Sequence, residues 1–162
     1  MFNSFKRRLP EISIYHHASS PPSAKALNLL RSSLSSAYPP NTTAVAPLEF
    51  QLDVIESPPT ADQMRTILSY LPSKAISPST AFLSAHPSAP PMGERSEDLS
   101  AIAELGQKNP LALKWPIVVD WADGKASIGD PEGVKSMLEL LRKRRDGEVQ
   151  NDQIEQPKGW FT

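Results

Sequence analysis

His16, His17, Ser19, Ser20 and Ser23 crowd into one short stretch near the start of the chain, "YHHASSPPS". Hydroxyls beside imidazoles are the parts of a Ser–His nucleophile, with Ser19 or Ser20 attacking and His16 or His17 as base. The rest of that machinery is not in the sequence. There is no G-x-S-x-G elbow, and no acid is specified beside the histidines. The same stretch also reads as a helix start, with Ser20 as cap and Pro21 at the first helical position. A helix start offers free N–H groups and the positive end of a dipole, which favour an anion such as a thiolate or carboxylate. The cap is the simpler reading of Ser20. Folds that put a reactive cysteine at such a place need a thiol, and this chain has no cysteine.

Without cysteine, disulfides, Cys-ligated zinc, iron–sulfur clusters and an internal thiolate nucleophile are all excluded. The compartment is not thereby fixed. Three histidines remain, His16, His17 and His86. The first two are neighbours on an expected strand, so they point to opposite faces and cannot share one ion. No metal is expected.

The elements that must position these groups come from 162 residues, a length that suits one domain. Prolines number 17, against a usual share of about 5%. They cluster as Pro21-Pro22, Pro39-Pro40, Pro58-Pro59 and Pro90-Pro91, which implies stiff, irregular connections. A formal charge of −1 gives no overall field for nucleic acid. No run of about 20 apolar residues exists to span a membrane. Residues 1–9 are basic and acid-free, with Lys6, Arg7 and Arg8, which reads equally as a short transit segment or as a solvated tail before the domain.

Residues 11–17 read as a first strand. Ala26, Leu27, Leu30 and Leu34 make the stripe of a helix over 22–36. "LEFQLDV" alternates Leu48, Phe50 and Leu52 with polar residues, a half-buried second strand. Thr60 and Gln63 form a capping-box pattern for a second helix ended by Pro72. Residues 73–95 are Ser/Pro/Ala-rich without a period and read as a flexible insertion, with Phe82 and Leu83 as anchors. A third helix should start at a Ser96 cap and stop at Gly106. Strands over 117–121 and 125–128 should meet at a type I′ Asp123-Gly124 turn. Asp130 and Pro131 open a last helix with the stripe Val134, Met137, Leu138 and Leu141. Its end, "RKRR" at 142–145, suits the helix dipole or an anionic lipid surface. Residues 146–162 read as a mobile polar tail.

The order β-α-β-α-(α)-β-β-α predicts an α/β domain over 10–145 with a mixed four-stranded sheet. A thioredoxin-like core fits this order, and a ferredoxin-like α+β fold is the alternative. "WPIVVDWADGKASIGDPEGVKSML", with Val119-Asp120-Trp121 and Ile128-Gly129, resembles the closing β-β-α of the fungal mitochondrial redox proteins with a thioredoxin-like fold. These are distant relatives of arsenate-reductase-like proteins. "ISIYHHASSPPSAKALNLL" is similar to that family's opening strand and helix.

The resemblance implies a redox function in mitochondria. It also implies a cis bond before Pro116, placed opposite the first helix start. Ser19, Ser20, Ser23, Trp115 and Pro116 would then line a cleft able to pair with an extended thiol ligand. The family's redox cysteine follows an Asp-Leu pair on the helix before the hairpin. The corresponding residue here is Ile102. Any thiol would have to come from a partner protein or from glutathione. The alternative is a non-catalytic interaction module. Trp121 is expected in the core, and Asp120 is expected to hold the hairpin end.

Overall fold

The structure is a computed structural model describing residues 9–38, 46–72, 76–87 and 89–147. The expected transit-type segment lies outside these residues except for Leu9, and the expected tail lies outside them beyond Gly147. Four strands, β1 (Glu11–Tyr15), β2 (Gln51–Ile55), β3 (Ile117–Asp120) and β4 (Lys125–Ile128), form one sheet in the order β2-β1-β3-β4. β1 runs parallel to β2 and antiparallel to β3, and β3 and β4 form a hairpin. The sheet is therefore mixed, as the expected parallel start and antiparallel end require.

Side-chain alternation splits the core between two faces. Ile12, Ile14 and Val118 point to one face. α1 (Pro21–Ser35) and α5 (Pro131–Arg145) cover it with Ala26, Leu27, Leu30, Val134, Met137, Leu138 and Leu141. Tyr15, Ile117 and Val119 point to the other face. α2 (Ala61–Tyr70) and α4 (Leu99–Lys108) cover that one, together with the short α3 (Pro78–Phe82). Ser20 caps α1 and Thr60 closes a full capping box on α2, as the spacing predicts.

Residues 76–83, within the stretch read as a flexible insertion, are a built part of the second face. Ser77 caps α3, and Ala81, Phe82 and Leu83 are buried, Phe82 completely. Leu83 bridges to Leu113, and Lys114 N–H donates to the Phe82 carbonyl at 2.8 Å. The Glu97 carboxylate accepts from the Ser79 N–H at 2.9 Å and its hydroxyl at 2.7 Å. The Ser79 backbone bond, before the hydroxyl bond, holds Glu97 below the usual carboxylate range. One helical turn is too short to show a period, so composition alone misreads it.

Four further expectations shift. The helix expected from Ser96 starts two residues later, because the Asp98 carboxylate takes the capping role and accepts from Ser100 N–H. Gly106 does not stop this helix. It lies inside it, where an added Cβ would come within 2.5 Å of Leu113 Cδ1. The hairpin is not a two-residue turn. Asp120 pairs with Lys125, leaving four residues in the loop, with Gly124 at φ 68°. Asp120 explains the longer loop: Oδ1 accepts the Ala122 and Asp123 N–H groups at 3.1 Å, and its carbonyl accepts Gly124 N–H. Trp121 consequently leaves the strand and is half-buried against Tyr70, its Nε1–H donating to Ser13 Oγ.

Candidate functional site

β1 ends at Tyr15, two residues sooner than the alternation suggests, so His16 and His17 lie beyond the strand. Trp121 N–H donates to the Glu11 carbonyl, which fixes the ladder phase between β1 and β3. In an antiparallel ladder, hydrogen-bonded pairs recur at every second residue. They fall at Ser13/Val119 and Tyr15/Ile117, and the next would be His17/Trp115. That pair does not form. His17 N–H turns instead to Ser23 Oγ at 3.0 Å. Among the described residues, Trp115 N–H and C=O have no backbone partner. The Trp115–Pro116 bond is cis, and the Pro116 carbonyl accepts from Gly129 N–H at 2.7 Å.

The structure brings the two expected halves together. The His17 ring lies 5.3 Å, centroid to centroid, from the Trp115 ring. Trp115 is itself buried and anchored by Nε1–H donating to the Pro110 carbonyl. Ser23 is fully buried, and its hydroxyl also pairs with His16 Nδ1 at 2.6 Å. Ser19 is exposed, with its Oγ 2.8 Å from His17 Nδ1. The cleft wall is thus His17 and Ser19 on one side and Trp115–Pro116 on the other. Pro116 is buried, so its ring offers little surface. Sequence reasoning named His17 as a candidate base but left it out of the cleft. Nothing local signals its contact with a tryptophan far along the chain.

Two chemistries fall away at this geometry. Among the described residues, no carboxylate stands behind the Ser19–His17 pair to orient the imidazole. The helix start does not present the expected N–H cradle either. Pro21 and Pro22 have no N–H to give. Ser23 N–H is taken by Ser20 Oγ at 3.3 Å, and Ala24 N–H by the Ser20 carbonyl. Ile102, the position that the resemblance matched to a thiol, is 1% exposed inside the second-face core.

Elsewhere, the buried Asp120 is pushed above the usual carboxylate range. Burial is the main cause, partly opposed by the Asp123 and Ala122 N–H bonds and by Arg144. Its position at the hairpin end is structural. The "RKRR" helix end is largely committed too: Arg142 to Glu139 and Asp146, Arg144 to Asp123, and Arg145 to Asp146. Among the described residues, no group of His, Asp or Glu side chains could hold a metal ion. No helix among them is long and apolar enough to cross a membrane.

A family model described as a protein of unknown function, DUF1687, matches residues 2–129. The chain belongs to that family. A search of curated proteins found no match. Among solved structures, the arsenate reductase from Vibrio cholerae is similar, with a TM-score of 0.52 at 18% identity. The match covers 80% of this chain and 98% of that one. The "Putative arsenate reductase from Yersinia pestis" gives a TM-score of 0.49 at 21% identity, covering 77% of this chain and 98% of that one. At such identity the likeness to the Vibrio protein is one of fold.

Proposed function

We propose that this chain is a thioredoxin-like protein of the mitochondrial redox family that binds thiol-bearing peptides, glutathione among them, without thiol chemistry of its own. One observation carries the reading: the ladder breaks at His17/Trp115, leaving the Trp115 N–H and C=O without a backbone partner among the described residues. An extended ligand can pair with those groups as an added strand segment does. His17 and Ser19 would meet its side chains.

The absence of chemistry follows from the residues. Thiol–disulfide exchange needs an attacking thiolate, and the chain has no cysteine. A cysteine engineered at position 102 would sit buried in the second-face core. Arsenate reduction is not carried over from the fold relatives, because the α1 start lacks free N–H donors for an oxyanion.

Calorimetric titration with glutathione tests the binding, and reduction of insulin disulfides tests the absence of catalysis. Saturable glutathione binding, weakened by Trp115→Ala or His17→Ala, is expected, with no catalysed reduction. Glutathione binding that ignores both substitutions would overturn the site. Catalysed reduction by the pure chain would overturn the reading. A fluorescent fusion that stays outside mitochondria would remove the mitochondrial part alone.

A further inference from the structure

The opposite edge of the sheet carries a second feature, independent of the cleft. β4 is an edge strand. Its register with β3 and the Gly129 N–H to Pro116 carbonyl bond fix which groups point outward. Pro116/Gly129, Val118/Ser127 and Asp120/Lys125 are the hydrogen-bonded pairs. Ala126 and Ile128 therefore direct their N–H and C=O groups away from the sheet. Beside this edge runs an open groove of about 790 Å³, whose lining includes Lys125, Ala126, Pro72, Lys135, Leu140 and Lys143.

The charges in the groove are unequal. Its two acids are engaged, Glu132 by Lys135 and Glu139 by Arg142. Among the described residues, Lys125 and Lys143 form no ion pair. The other edge strand, β2, has the opposite character, with the exposed acids Glu49, Asp53 and Glu56 on or beside it. Lysine on an edge strand also discourages unwanted pairing. That role needs neither a groove nor a second lysine on the facing helix.

We infer that the β4–α5 groove is a docking site for an extended acidic segment of a partner protein, which adds to β4 as a strand. Backbone pairing at Ala126 and Ile128 would set its register, and Lys125 and Lys143 would select its charge.

The probe is a fluorescent Val-Glu-Val-Glu-Val-Glu peptide, read by anisotropy against the full chain. Controls are its lysine counterpart and a version with the central valine replaced by proline. Binding of the acidic peptide, weakened by salt and slowing hydrogen exchange at Ala126 and Ile128, is expected. The double variant Lys125→Glu/Lys143→Glu should bind about tenfold or more weakly, and the proline peptide should fail, because proline cannot donate to a ladder. Circular dichroism checks that the variant folds. Should it not fold, Lys125→Gln and Lys143→Gln, made singly, replace it, each expected to weaken binding severalfold. Equal binding of the lysine peptide, full binding of the proline peptide, unchanged affinity in the folded variants or no binding at millimolar peptide would each overturn the inference.

Discussion

On the α1/α5 face, Ala26, Leu27 and Leu30 meet Val134, Met137, Leu138 and Leu141, all from long helices with clear stripes. On the α2/α4 face, Phe82 and Leu83 come from a single turn in a Ser/Pro-rich stretch, and Leu113 and Trp115 from extended chain. Both faces are equally sealed, with several side chains at zero exposure on each. Periodicity therefore marks how a core residue is delivered and not how deeply it is buried. A long helix must repeat its apolar positions to keep one face inward. A short turn need only place one large side chain.

The sharpest way to break this comparison is Phe82→Ala. It should cost about 3–5 kcal/mol, as for other buried aromatic truncations, and should match or exceed Leu30→Ala in a urea titration. A loss under about 1 kcal/mol would restore 73–95 to the status of a passenger.

Next is Gly133→Ala, on the first face, where an added Cβ would overlap Ser127 Oγ and lie 2.6 Å from its Cβ. Overpacking there should cost about 1–3 kcal/mol. Gly106→Ala, facing only the movable end of Leu113 and gaining helix propensity, should cost less. Thermal melts of the pair rank the two faces by rigidity.

Ser23→Ala should follow, at about 1–3 kcal/mol, because His17 N–H and His16 Nδ1 both lose their partner. A shift of the His17 ring resonances would report the loosened cleft wall. Thr60→Ala should cost only the roughly 1 kcal/mol of a lost cap.

Asp120→Asn changes a slope before it changes a level. Folding raises the Asp120 pKa, so the native protein favours its protonated form. Its contribution then falls as pH rises from the unfolded carboxylate range through the raised folded value. The asparagine variant lacks that loss. Its stability relative to the parent should climb as pH rises above the unfolded carboxylate range and level off once the raised folded value is passed. A gap that shrinks with rising pH would mean that Arg144 outweighs burial at this carboxylate.

The long elements were legible because each carries redundant signals. Ser20 with Pro21, Thr60 with Gln63, and Asp130 with Pro131 announce helix starts that their stripes then confirm. The mixed sheet followed from strand spacing. The hairpin misled because Asp123-Gly124 is a strong local turn signal, and the decisive acceptor, Asp120, lies outside the dipeptide. α3 was invisible for want of length. The candidate cleft was half legible: Ser20 and Ser23 announced the helix start, while the His17–Trp115 contact joins residues that only the folded sheet brings together.

The double proline at the start of α1 bears on how readily the chain could gain a reactive thiol at that place. A cysteine substituted for Ser20 would find one backbone donor, the Ser23 N–H, where an uninterrupted helix start would offer more. Its thiolate would gain the field of the helix but few of the bonds that hold a sulfur anion in place. Pro21 and Pro22 would have to change as well. Building a nucleophile there is a three-residue step, and each proline on that path also stiffens the turn that sets His17 against Trp115.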